Sequence, residues 1–572
     1  MSRFPTLARL SLALILLTGT VAAQDDIIFR AMQDELDRSM DELQIEAMAA
    51  PYFLAYRVLD LDTYRIAARY GAVVEREREH QRDFYIECRV GDPQFDNSGF
   101  IASWRDLYDW RDGLVEEDNY GALRHQIWLL TDEAYKNALE RLAQKHAYLQ
   151  AHPPKDTLLD LTPVEPYRHA GRVAALTVDG DAWEADVRAA ARALRAFPEL
   201  QDWDIAFSAT GATRRYVNSE GSRHVKGAVY RILEASATAQ AADGQRVSTF
   251  RRFIACGGDQ PPRGAALVAE IEAMATELTA TVAAPALDEY AGPILFTDFA
   301  AAQFVSQLFA AQLSPTRTPL SPNEWVRDQL PSPKLVRRVN RRVFPPFVRV
   351  VDDPLAESWN GVRLAGHMPV DDEGVPAQRI TLVKEGRLRT LPMSRQPSKK
   401  ITTTNGHAFT FPNQWTAPVI TNLQLESETR EAELVAELRE ICRDFDLEFG
   451  LLVKRLEDPG IARRYRWTDR QEPGETLLTA PTALYRVFAE DGRIEPVRGL
   501  VFDEVSIRAL RDLVATGTSS RVYNLRQELA GEALQYYASI MTPDLLIEEM
   551  ELKSGGAHEP LPIMAAPFAA AR

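Results

Sequence analysis

The chain has 572 residues, with 66 Lys and Arg against 82 Asp and Glu for a formal charge of -16, and only three cysteines. That length exceeds one compact core and predicts two or three domains, while 45% hydrophobic residues exclude a disordered, collagenous or disulfide-stapled chain. The acidic balance argues against wrapping nucleic acid, whose phosphates require a basic surface.

Arg3 and Arg9 precede the apolar run from Leu10 to Leu17, and small residues follow through Ala23. This order predicts an export signal over residues 1–23, cut after Ala23, and a periplasmic or secreted mature protein. The apolar run is too short to span a bilayer, and no later stretch has the roughly 18 apolar residues of a membrane helix, so no membrane span is expected. Cys88, Cys256 and Cys442 are far apart in the chain. No C-x-x-C pair or disulfide framework follows, and each thiol reads as a small buried apolar side chain.

Ile28, Met32, Leu36, Met40 and Leu43 recur at helical spacing and predict an amphipathic helix ending before Pro51. Runs 52–59, 64–74 and 83–90 alternate as strands do and predict an antiparallel meander. Thr131 opens a predicted helix to Leu149, and the proline-rich stretch 152–166 reads as a linker. A helix over 183–197, a strand over 203–209, a hairpin turning at Asn218-Ser-Glu-Gly221 and strands over 227–239 and 246–256 extend a sheet. After a helix over 265–283, Pro285 and Pro293 mark the main boundary. Beyond it come a short buried strand at 294–296, a helix over 299–313, an irregular proline-rich stretch 314–346 and several hairpins. A helix over 429–445 has its glutamates early and arginines late, as its dipole favours, and a closing strand covers 543–552. The expected architecture is α+β, with an N-terminal domain over 24–284 and a C-terminal domain over 285–572.

The chain has no Gly-rich phosphate loop, no G-x-S-x-G elbow and no H-E-x-x-H helix. Its second half is more specific. Gly366-His-Met-Pro-Val-Asp-Asp-Glu-Gly-Val-Pro-Ala-Gln-Arg379, Thr381-Leu-Val-Lys-Glu-Gly-Arg-Leu388, Thr404-Asn-Gly-His407 and Pro418-Val-Ile-Thr-Asn422 occur in that order. Together they resemble the C-terminal region of the TldD/TldE (PmbA) peptidase family, also called modulators of DNA gyrase. Asn218-Ser-Glu-Gly221 resembles a turn of that family's N-terminal domain, and the segment from Tyr485 to Gly499 its late hairpin. The resemblance covers roughly residues 180–552; residues 52–165 have no obvious counterpart and read as a subgroup elaboration.

The resemblance implies a two-domain α+β protein that forms a homodimer or pairs with a family member, and that binds an extended peptide along a strand edge. In the TldD branch an H-E-x-x-x-H helix and a late cysteine hold zinc, with the glutamate as general base. Here the corresponding positions are Ser306, Gln307 and Ala311, and no cysteine follows Cys442. These side chains supply no competitive zinc donor and no general base, so no zinc or other cofactor is expected. TldE-type subunits lack the motif in the same way, and the chain looks closer to that branch.

The implied peptide site is bordered by Asp371, Asp372, Glu373 and Gly374 and by Asn405, Gly406 and His407. The same residues also suit a solvated acidic turn and a hairpin turn, since Asp, Asn and Gly are turn formers. A relocated metal site built from His367, His407 and the acidic turn is a further alternative, as are ligands supplied by a partner and a purely non-catalytic scaffold. His169 and His224 read as surface or satisfied histidines. The basic stretch Lys334 to Arg342 reads as a cluster balanced by neighbouring carboxylates.

Overall fold

The computed structural model describes residues 26–103, 112–153, 157–324, 326, 333–411, 415–427, 433–459, 476–529 and 535–556, and the expected signal segment lies outside them. Five long antiparallel strands form the body of the N-terminal half. Pro51–Arg69 pairs with Ala72–Asp92 on one side and Leu200–Asn218 on the other, followed by Arg223–Gln240 and Arg246–Cys256. Alternation along the first strand sorts its side chains between two faces. Leu54, Tyr56, Val58, Tyr64, Ile66 and Ala68 face helices: Ile27–Glu42 and Tyr120–Ala151 at one end, Gly180–Ala193 and Gly264–Ala283 at the other. On the opposite face, Arg57 reaches the C-terminal half through a hydrogen bond to the Asp372 carbonyl.

The sequence reading divides the first strand near Asp60 to Thr63, where the structure is continuous. Asp60 is buried between the two helix-covered patches and is held by Arg82 and Arg215, while His80 Nδ1 lies 2.9 Å from Asp62. Cross-strand cations thus let carboxylates stay inside a strand that their polarity argues against. The chain reverses instead at Tyr70-Gly71, with Gly71 at φ 83°. The helix expected from Thr131 starts earlier, at Tyr120, where the Asn119 side chain accepts a hydrogen bond from Ala122 N.

In the C-terminal half two mixed sheets enclose one helix, Asp298–Leu308, whose residues from Ala300 to Leu308 are all buried. One sheet centres on Glu289–Phe296, between parallel Phe449–Leu456 and antiparallel Leu545–Ser554. The other includes Val348–Asp352, antiparallel to Asn422–Ser427, which pairs in parallel with Gln535–Thr542. A helix buried on all sides, its few polar side chains hydrogen-bonded to the flanking elements, fits between two such layers. The helix expected over 429–445 is Leu434–Asp444, and its first expected residues fall partly outside the described ones.

Phe304, 1% exposed, packs on Phe296 at a ring distance of 4.8 Å in the middle of this layer. Phe304→Ala is expected to lower unfolding free energy by about 3–5 kcal/mol, the usual cost of emptying an aromatic site in a core. Denaturant melts check it, and a loss under about 1 kcal/mol contradicts the enclosed-helix packing.

Candidate interdomain site

Ser306 and Gln307 sit on the enclosed helix, and Ala311 sits in the 3-10 turn Ala310–Gln312 that follows. Ser306 Oγ donates to Gln527 Oε1 at 2.7 Å. Gln307 Nε2 donates to Thr479 Oγ1 at 3.0 Å, and Gln307 Oε1 accepts from Thr479 N at 2.9 Å. Both side chains end in neutral hydrogen bonds, and the three positions carry no imidazole, thiolate or carboxylate. This donor set does not fit zinc. Among the described residues no group of three or more His, Cys, Asp or Glu is placed to hold a metal ion. The three cysteines are free and buried, and burial pushes the thiols up, to about 12 for Cys88 and Cys256 and about 11 for Cys442.

The acidic turn is not solvated: Asp371, Asp372 and Glu373 are 0%, 3% and 7% exposed. Asp371 closes the turn on itself, its Oδ1 accepting from Glu373 N at 2.9 Å and Val375 N at 2.8 Å, and its Oδ2 accepting from Ala408 N. Gly374 completes the reversal at φ 79°, and a Cβ there would stand 2.8 Å from the Tyr216 ring of the N-terminal sheet. Asp372 crosses to that sheet, with Lys226 Nζ at 2.7 Å from Oδ1 and Arg214 Nη1 at 3.7 Å from Oδ2. Burial works to raise its pKa, yet Lys226 and Arg214 overcome it and hold the carboxyl well below the usual range.

Glu373 Oε2 accepts from Arg395 N at 2.6 Å. The Arg395 guanidinium, 1% exposed, makes a two-pronged contact with Glu220 at 2.7 and 2.8 Å and donates to Thr162 O. Arg395 therefore joins the Asn218–Gly221 turn to the acidic turn. Arg395, Arg57 and Lys226 escape a sequence reading, because each is an isolated cation far in the chain from its carboxylate and no spacing marks the pair.

Asn405 is equally committed, its Oδ1 accepting from Met393 N and its Nδ2 donating to Leu391 O. Gly406 has φ 71° and no room for a Cβ, which would lie 2.4 Å from Pro376 O. His407 is fully buried with Nδ1 3.0 Å from Asn405 O; its Nε2 is 3.3 Å from Asp352 Oδ2 but is not aligned for a hydrogen bond. His224 differs from the expected surface or satisfied histidine. It is 1% exposed, stacks on Tyr216 at 5.1 Å, and its Nδ1 has no partner among the described residues; burial, then Lys226, pushes its pKa well below the usual value. The expected balancing of the basic stretch is also absent among the described residues. Lys334, Arg337, Arg338, Arg341 and Arg342 form no ion pair with a described carboxylate.

Between the halves lies a cleft of about 320 Å³. Arg57, Glu87, Arg89 and Arg141 line its N-terminal wall; Arg317, Glu373, Trp415 and Thr416 line the other. Glu87 bridges Arg57 and Arg89, and although burial opposes ionisation these two cations hold it at about 2. Burial, then the Glu87 charge, raises Glu373 instead. Thr416 begins the short strand Thr416–Pro418, which pairs antiparallel with Ala408–Thr410. The far edge of Ala408–Thr410 is capped, Ala408 N donating to Asp371 and Thr410 N to Asp372. Phe411 N donates to Trp415 O, and Val419 N donates to His407 O. Antiparallel alternation then turns the Thr416 N–H and C=O away from the ribbon, onto an edge that no described strand covers.

Burial, then Glu373, raises Asp371 to about 7, against about 3.9 for a free aspartate. Its contribution to stability is present below the free value and is lost as pH rises through about 7. Between pH 4 and 8 the thermal midpoint should fall less steeply in Glu373→Gln than in the unmodified protein, because the substitution removes the charge that keeps Asp371 protonated. Calorimetric scans across that range check this, and an equal or steeper fall contradicts it.

The family model described as PmbA/TldA metallopeptidase C-terminal domain matches residues 291–554. No curated protein sequence matches the chain. Among solved structures, a putative modulator of a DNA gyrase from Thermotoga maritima is 14% identical, with a TM-score of 0.57, covering 92% of this chain and 100% of that one. TldE from Thermococcus kodakarensis is 14% identical with a TM-score of 0.55 over 92% and 100% of the two chains. A putative modulator of DNA gyrase from Bacteroides thetaiotaomicron is 12% identical with a TM-score of 0.57 over 92% and 98%. At such identities the structural likeness concerns the fold, and the α+β layers described above are those of these proteins. Residues 291–554 thus form a C-terminal domain of the PmbA/TldD (TldD/TldE) family, in a chain whose overall fold is that of these structures.

Proposed function

We propose that this protein is an exported TldD/TldE-family subunit of peptide processing that binds extended peptides and holds no zinc of its own. The observation that carries the reading is the Thr416 end of the strand Thr416–Pro418, which lines the cleft between the halves and whose outer edge no described strand covers. A peptide strand laid there would use main-chain hydrogen bonds, which accept many side-chain sequences and require no metal. Asp371 and Asp372 act on this edge from behind, fixing the ribbon that presents it. Neutral pairs at Ser306 and Gln307 support a subunit that leaves hydrolysis to a different family member in a heterodimer, whereas a homodimer would bind the peptide without cleaving it. Export rests on the order of charge, apolar run and small residues over 1–23, and N-terminal sequencing of exported protein should begin at Gln24.

The test is titration of an extended ten-residue peptide into the purified chain, with elemental analysis of the same sample. Binding is expected without stoichiometric zinc and without cleavage. Thr416→Pro, which removes the outward N–H, should weaken binding by about tenfold, the factor that one lost hydrogen bond of about 1.4 kcal/mol represents. No binding, or binding indifferent to Thr416→Pro, overturns the edge reading. One zinc per chain with chelator-sensitive cleavage would instead establish a working metallopeptidase.

A further inference from the structure

Two of the most buried charged groups on the cleft each have one valence unused. Arg57, 9% exposed, donates from Nε to the Asp372 carbonyl at 2.9 Å and from Nη2 to Glu87 at 2.7 Å, and its Nη1 has no hydrogen-bond partner among the described residues. Glu373, 7% exposed, accepts from Arg395 N on Oε2 alone, so its Oε1 likewise has no donor among the described residues. They form no ion pair with each other: Arg57 is paired with Glu87. Neither atom is sealed from solvent, so both are open at the cleft to a ligand that can meet them together.

From this geometry we infer that the cleft binds a short zwitterionic peptide, its free ammonium on Glu373 Oε1 and its carboxylate on Arg57 Nη1. This names the ligand class of the peptide-binding reading and rests on it. The volume of about 320 Å³ lies at the small end of ligand pockets, so the cleft itself encloses two or three residues. The cation side is reinforced, since Arg141 and Arg317 also line the cleft. The anion side is reinforced differently: burial and the Glu87 charge raise Glu373 more than the Arg395 amide and the Arg395 and Arg57 charges lower it, and an incoming ammonium on Oε1 adds the opposite charge that is still lacking. One wall, including Arg57, Glu87 and Arg141, comes from residues 52–165, so that segment would set this specificity.

The experiment titrates trialanine, N-acetyl-trialanine and trialanine amide into the full chain by calorimetry, with the ten-residue peptide in parallel. Trialanine should bind, and acetylation or amidation should each weaken it ten- to a hundredfold, the factor for losing one charge-assisted hydrogen bond, roughly. Glu373→Gln should reproduce the loss caused by acetylation, and Arg57→Lys that caused by amidation. Because the modified peptides act on the unmodified protein, the result does not depend on how the variants fold. Equal binding of the free and blocked tripeptides overturns the inference, and so does binding of the long peptide alone, which leaves the edge reading standing. Absence of binding by every peptide removes both.

Discussion

Three consecutive carboxylates, Asp371, Asp372 and Glu373, are buried where the two halves of the molecule meet, and the rest of the architecture is arranged around that constraint. Burying a charge is costly unless hydrogen bonds or opposite charges compensate it. Each of the three is compensated differently. Asp371 takes three backbone N–H groups, Asp372 takes Lys226, Arg214 and Thr410 N, and Glu373 takes one amide, with no donor on its other oxygen among the described residues. Their pKa values diverge accordingly, with Asp372 lowered and Asp371 and Glu373 raised. The first two carboxylates fix structure, while the third faces the cleft.

This clasp explains why the ribbon Ala408–Thr410 with Thr416–Pro418 is presented in one orientation. Asp371 and Asp372 cap one edge, so only the other can accept a strand. It also explains the crowding of the linking glycines: Gly374 lies under Tyr216 and Gly406 against Pro376, where any Cβ would collide. At the enclosed helix the situation is the reverse. Ser306 and Gln307 have their hydrogen bonds met by Gln527 and Thr479, so what reactive capacity the chain displays lies between its halves.

Much of the fold was legible in the chain itself. Alternation marked the strands after Pro51, apolar periodicity marked the helix found at 27–42, the helices expected over 183–197 and 265–283 form at 180–193 and 264–283, and ordered motifs marked the family resemblance. Errors arose where distant partners changed the meaning of a local pattern. Asp60 reads as a turn residue until Arg82 and Arg215 are placed beside it. Asp371-Asp372-Glu373-Gly374 reads as a solvated turn for the same reason, since Lys226, Arg214 and Arg57 lie far upstream in the sequence and carry no motif. The turn conformation was visible in Gly374; its burial was not.

The burial of the acidic turn is tested most directly by amide hydrogen exchange at Glu373, Val375, Ala408 and Thr410, whose N–H groups donate to the Asp371 and Asp372 carboxylates. A buried clasp predicts that these four amides exchange as slowly as those of the enclosed helix Asp298–Leu308, opening only with large-scale unfolding. Exchange within seconds at neutral pH, as in an exposed loop, would contradict it.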